Sequence, residues 1–133
     1  MNSNIVYLII SIINIFIGFG LLIGVFTNPL EFLSLYFKGE IKDELILFAQ
    51  SIINVTAVHQ IAVGLFILVL WKLKLDNESN KKVFLAYSVF GGTVLLVALY
   101  NHLFMGGGPP IFILILIVSA SLLSLYSSRY FKS

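Results

Sequence analysis

The chain has 133 residues, 59% of them hydrophobic and only 11% charged, with a net charge of +2 and no cysteine. Soluble domains carry about 25% charged residues, so an ordinary water-facing surface is excluded, and a mean hydropathy of +1.05 points the same way. The missing thiols exclude disulfides, cysteine nucleophiles and thiolate metal sites. The length fits one domain, 1–133, and nothing in the charge balance points to nucleic acid.

The first apolar stretch, Ile5–Phe26, has no basic residue before it and no small-residue cleavage site after it. It is longer than the h-region of a signal peptide, about 7–15 residues, and reads as a retained membrane helix. Three further stretches follow, Leu45–Trp71, Val83–Phe104 and Ile111–Ser128. Each meets or nearly meets the roughly 20 apolar residues that a hydrocarbon core near 30 Å requires. None alternates as barrel strands do, and a backbone in lipid must satisfy its own hydrogen bonds, so all four are expected as helices. The expected fold is all-α: an integral membrane, antiparallel four-helix bundle.

Between spans 1 and 2, Asn28-Pro29-Leu30-Glu31 reads as a helix start, with Asn28 as N-cap, Pro29 at the first helical position and Glu31 closing a box. The apolar residues that follow, stopped by Gly39, are too few to span and predict a short interfacial helix. Asp43 reads as the cap of span 2. The connection from Lys72 to Lys82 is polar, with Trp71 at its boundary as an interfacial aromatic. The last connection, Met105 to Pro110, carries three glycines that permit a tight reversal and two prolines that can open the fourth helix.

Charge sets the expected orientation. Lys72, Lys74, Lys81, Lys82, Arg129 and Lys132 fall on the side of both termini, against Lys38 and Lys42 among Glu31, Glu40, Asp43 and Glu44 on the other. By the positive-inside rule both termini are cytoplasmic, and the protein is a multi-pass protein of the inner membrane.

Polar groups within the spans are costly unless paired, so they are the natural site candidates. Ser11, Asn14 and Gly18 share one face of span 1, and Gly20 and Gly24 form a GxxxG on a neighbouring face. Span 2 is the most polar. At about 100° per residue, Gln50, Asn54, Ala57 and Gly64 fall on one side and Thr56, His59 and Gln60 on roughly the other. Two polar sides imply contact both with the chain's own helices and with something else. His59 lies near mid-span, as a structural histidine, a proton relay, a ligand anchor or a lone haem or metal ligand. His102 is too far from it in depth to form a haem-ligand pair. Tyr100, Asn101 and His102 meet the glycine-rich turn and, with Glu31, form a candidate polar mouth. No catalytic triad, metal-ligand spacing or P-loop is present, so no catalytic or metal residue is assigned and no cofactor is required. No charged residue lies inside a span, which argues against an ion pump or proton-coupled exporter.

The layout resembles the DoxX-like superfamily of small four-helix bacterial membrane proteins. The features that carry the resemblance are the Asn-Pro stretch after span 1 (Gly24 to Leu30), the polar-then-glycine run His59 to Gly64, the lysine-rich central connection, Gly91-Gly92 and the glycine-proline turn. Members often carry an arginine in the second helix, where this chain offers His59. The resemblance implies an association, in some relatives, with quinone-reactive or redox membrane complexes.

Three functions fit these residues. The leading expectation is a non-enzymatic assembly module that oligomerises or docks a partner membrane subunit through Gly20, Gly24, Gln50, Ser88 and Gly92. The second is a binding protein or enzyme for a lipophilic molecule such as a quinone or lipid, in an outward-opening cavity lined by Asn14, Asn54, His59, Gln60, Tyr100, Asn101 and His102. The third is a transporter or channel for a small neutral solute.

Overall fold

A computed structural model describes residues 2–37, 42–104 and 107–130. The expectations placed on Lys38, Gly39, Glu40, Met105, Gly106 and Lys132 lie outside these residues. Every regular element among the described residues is a helix: α1 (Ser3–Thr27), α2 (Pro29–Ser34), α3 (Asp43–Lys72), α4 (Asn77–Phe104) and α5 (Ile111–Tyr130). All but α2 are long and apolar enough to cross a membrane. Their outward surfaces are rich in large apolar side chains, among them Phe16, Leu47, Val55 and Leu103.

Local chemistry explains most boundaries. Asn2 caps α1, its side chain accepting from the Asn4 amide at 3.0 Å. Pro29 opens α2, since its missing N–H costs nothing in a first turn. Asn28 holds the cap position as expected, but without the expected capping box. The Asn28 side chain makes no bond to the backbone and instead donates from Nδ2 to the Glu31 carboxylate. Lys42, not Asp43, holds the cap position of α3, while Asp43 and Glu44 sit in the first turn, where the helix dipole favours negative charge. The fourth element starts at Asn77 rather than near Val83, because Asp76 binds the Ser79 amide (2.9 Å) and hydroxyl (2.8 Å) and so caps a polar first turn that hydropathy discounts.

The tightest seam joins α1 to α3. A Cβ on Gly18 would lie 2.5 Å from Ile61 Cγ1 and 2.6 Å from the Ala57 carbonyl oxygen. One on Gly64 would lie 2.6 Å from Ile15 Cγ1 and 2.9 Å from the Ser11 carbonyl oxygen. The two backbones touch because each presents a hydrogen atom where any other residue presents a methyl group. Ser11 and Gly18, like Ala57 and Gly64, stand one heptad apart, which keeps small residues on a single stripe of each helix. Ser11 Oγ then donates to the Gly64 carbonyl at 2.7 Å.

A second seam joins α4 to α5, and a third joins α1 to α5. In the second, Ser124 Oγ donates to the Phe84 carbonyl at 2.6 Å and Gly91 accepts the Ser121 side chain. By contrast, α3 and α4 share no comparable interface. The helices therefore follow the order α3, α1, α5, α4, with a cleft between the first and last.

Two apolar clusters occupy the ends of this arrangement. Val6, Tyr7, Ile10, Ile67 and Phe84 form one, near the chain termini. Ile17, Leu21, Val25, Leu33, Ala49, Ile53, Ala57 and Ile113 form the other, under α2. Between them lies a polar waist containing Ser11, Asn14 and Gln60, all buried.

Candidate functional site

Two side-chain cross-links join α1 to α4, one at the terminal cluster and one in the waist. The Tyr7 hydroxyl donates to Asn80 Oδ1 at 2.7 Å, and both residues are at most 3% exposed. Asn80 Nδ2 in turn holds the Leu75 carbonyl at 2.9 Å, fixing the connection that enters α4. Further along, Asn14 Nδ2 donates to the Ile10 carbonyl (2.7 Å) and to the Tyr87 hydroxyl (2.6 Å). Gln60, Asn14 and Tyr87 border one small void with Phe90 and Gly91. These bonds satisfy polar groups where water is scarce, and they tie α1 to a helix with which it shares no comparable backbone seam.

The cleft between α3 and α4 widens into two cavities. The larger, about 400 Å³, lies at the α2 end. Ala49, Ile52, Ile53 and Thr56 of α3 form one wall, Leu21 the floor, and Asn101, Gly107, Gly108 and Pro109 the other wall, with Tyr36 and Phe37 above. Its roof is braced by backbone bonds: Gly108 N–H donates to the Tyr36 carbonyl at 2.7 Å, and Gly107 N–H to the Asn101 carbonyl at 3.3 Å. Gly107 is required there, because a Cβ would run into the Tyr36 carbonyl. Phe37 and Gly107 also form an isolated antiparallel bridge. Burial raises the Tyr36 phenol pKa well above its ordinary value, so the phenol stays neutral. The second cavity, about 310 Å³, lies toward the termini and is lined by Val63, Phe66, Ile67, Leu70, Val83, Ala86, Tyr87 and Phe90. The exposed His59 ring stands between the two, 6.2 Å from Phe90 across the cleft.

The seven ligand candidates read from the sequence do not converge on one site. Asn14 and Gln60 meet in the waist. Asn101 lines the large cavity. His102 packs on Gly108, its Nδ1 buried and without a hydrogen-bond partner among the described residues. Tyr100 faces outward, 5.1 Å from Phe104. Asn54 is half-buried, and its Oδ1 likewise has no partner among the described residues. His59 is on the cleft but exposed. Glu31 is engaged by Asn28 on α2.

The interface candidates divide as well. Gly24 is covered by Phe32 of the chain's own α2, whereas a Cβ on Gly20 or Gly92 would meet nothing within 4 Å. Ser88 turns back on its own helix, donating to the Phe84 carbonyl at 2.8 Å, and Gln50 is half-buried. Among the described residues no group of three His, Cys, Asp or Glu comes together to hold a metal ion.

Tyr7, Asn80, Tyr87 and two buried serines of α5 (Ser127 and Ser128) have structural roles that the sequence reading missed. One signal was available: Tyr7 and Asn14 on α1, and Asn80 and Tyr87 on α4, repeat the same residue pair at heptad spacing in reverse order. Ser127 and Ser128 bond to the Leu123 and Leu125 carbonyls of their own helix and carried no such signal. No family model, no curated protein and no solved structure matches the chain.

Proposed function

We propose that this chain is a four-span membrane bundle, with both termini cytoplasmic, that binds a lipophilic small molecule bearing a polar head, such as a quinone or lipid. The observation that carries the reading is the cavity of about 400 Å³ between α3, the end of α4 and the glycine-proline turn. Ligand cavities run to about 300–1,000 Å³ and are apolar with a few placed polar groups. Here the apolar walls come from Leu21, Ile52 and Ile53, and the polar groups are the Asn101 side chain and the backbone of the roof. The amide of Asn101 can donate and accept hydrogen bonds, and burial keeps the Tyr36 phenol a neutral donor. Both groups suit the recognition of an uncharged polar head. The unfilled cleft between α3 and α4 gives the ligand a route from the bilayer. The resemblance to DoxX-like proteins, some of them linked to quinone-reactive complexes, is consistent with this ligand class.

The test is native mass spectrometry of the protein released from its own membrane. A retained adduct is expected in the parent chain and absent in Thr56→Trp, which fills the cavity from a position whose hydroxyl bonds only to its own helix at Ile52. A well-folded parent chain without an adduct, or an adduct unaffected by Thr56→Trp, overturns the reading.

A second reading, self-assembly or docking of a partner subunit, draws support from Gly20 and Gly92. Both leave open space in front of them, and small residues are where membrane helices of separate chains approach closely. Gly20→Leu is expected to abolish a dimer in mild detergent on this reading, and to leave the adduct in place on the first.

A further inference from the structure

Three helices bring amide and hydroxyl groups to one point of the waist. Asn14 of α1, Gln60 of α3 and Tyr87 of α4 line the same void of about 10 Å³, with Val94 among its apolar walls. Asn14 is 2% exposed and Gln60 7%. Their hydrogen bonding is incomplete. The Ile10 carbonyl can only accept, so it fixes which end of the Asn14 amide faces it. Asn14 Nδ2 donates to that carbonyl at 2.7 Å and to the Tyr87 hydroxyl at 2.6 Å, which leaves Oδ1 without a partner among the described residues. The Tyr87 oxygen accepts one bond, and its own proton is given to no other described residue. The Gln60 side chain bonds to no other described residue. One acceptor, one donor and a whole amide therefore border the same space, and buried polar groups of this kind cost free energy while unpaired.

We infer that this void is the binding site of a single fixed water molecule, which accepts from the Tyr87 hydroxyl and donates to Asn14 Oδ1 and Gln60 Oε1. A buried water makes about three such bonds and needs at least about 10–15 Å³ of room. The void stands at that lower limit, so it admits one water and no larger solute. An apolar side chain in the same space would satisfy none of the three groups. The water carries the Asn14–Tyr87 link between α1 and α4 on to α3, the helix that shares no comparable seam with α4. The inference rests on the membrane reading given above but not on the ligand of the larger cavity.

The chain has two glutamines, Gln50 and Gln60, so isotope labelling of glutamine side chains yields two amide signals, which Gln50→Leu assigns. The full chain is reconstituted in phosphatidylcholine vesicles and examined by solid-state nuclear magnetic resonance, with polarisation transferred from water protons. Transfer to the Gln60 amide is expected. His59 is the preceding residue and is exposed on the cleft, so it reports whether bulk water fills the cleft at the same depth. Transfer to its ring is expected to be at least threefold weaker. The Gln60 transfer is expected to be lost in Val94→Ile, which extends an apolar wall of the void by one methyl group. A folded parent chain without transfer to Gln60 overturns the inference. Equal transfer to His59 also overturns it, since that is a hydrated cleft and not a fixed water. So does transfer that persists at full strength in a folded Val94→Ile protein. If Val94→Ile does not fold, the comparison of Gln60 with His59 in the parent chain decides alone.

Discussion

Tyr7 and Asn80 are separated by 73 positions in the chain and joined by a 2.7 Å hydrogen bond; Asn14 and Tyr87 are separated by the same 73 positions and joined by one of 2.6 Å. An equal offset at two points means that α1 and α4 run in the same direction in fixed register. The tyrosines supply reach, since only a long side chain spans helices whose backbones stay apart. The asparagines supply a second bond each, Asn80 to Leu75 and Asn14 to Ile10, which fixes the partner before the tyrosine arrives.

Removing one hydroxyl tests this clamp. Tyr7→Phe keeps the ring against Phe84, 4.6 Å between centroids, and leaves Asn80 Oδ1 without its donor. A buried acceptor left unpaired costs about 1–3 kcal/mol, so the thermal midpoint in detergent is expected to fall. Tyr100→Phe, on an exposed ring, is expected to leave it unchanged.

The α1–α3 seam predicts a contrast among glycines. Gly18→Ala and Gly64→Ala each place a methyl group under 3.0 Å from backbone of the facing helix. Overpacking of this kind costs about 1–3 kcal/mol, seen as a lowered midpoint. Gly92→Ala meets nothing within 4 Å and gains up to about 1 kcal/mol in helix propensity, so its midpoint is expected to rise.

Acid should loosen the start of α4. Hydrogen bonds from the Ser79 amide and hydroxyl hold the Asp76 carboxyl below its ordinary value of 3.8. A carboxylate depressed on folding contributes stability that is fully present above that ordinary value and is lost as pH falls through the lower, folded value. A midpoint scan from pH 7 to pH 2.5 should show a decline below about pH 4, and Ser79→Ala should flatten it.

Lys74 follows the last turn of α3 with φ of 47°, a left-handed conformation that side chains with a Cβ resist. Lys74→Gly is expected to stabilise the protein by about 0.5–1 kcal/mol. Lys74→Val should do the reverse, since a β-branched residue is strained there.

The four long helices were legible in the sequence because an apolar run of twenty residues admits few alternatives. The polar first turn of α4 was not, although Asp76 and Ser79 spell a cap, because hydropathy weighs side chains and not the orphan amides that a cap satisfies. Gln60 was assigned with Thr56 and His59, away from Gly64, yet it is buried on the stripe of Ile53, Ala57, Gly64 and Ile67. At about 100° per residue Gln60 stands roughly 40° from Gly64 and about 100° from His59, so the helical wheel itself puts it on that stripe and its grouping with His59 does not follow from the spacing. The face of span 2 that seemed to need something beyond the chain corresponds to Ile52, Thr56, His59, Val63 and Phe66, which border the cleft. The partnership of Asn14 with Tyr87 depends on which helix lies across from which, and the matched seven-residue spacing of the two Tyr/Asn pairs is its sole trace in the sequence.

The missing seam between α3 and α4 has a consequence for how the polypeptide is made. The chain emerges from the ribosome amino end first, and the most intimate contact, Gly18 against Ala57 and Gly64 against Ser11, lies wholly within its first half. That half can close on itself before Asn80 and Tyr87 exist. The later pair then needs only to lay α5 along α1 and fasten two tyrosine–asparagine links, so assembly proceeds in the order of synthesis without waiting for the carboxyl end.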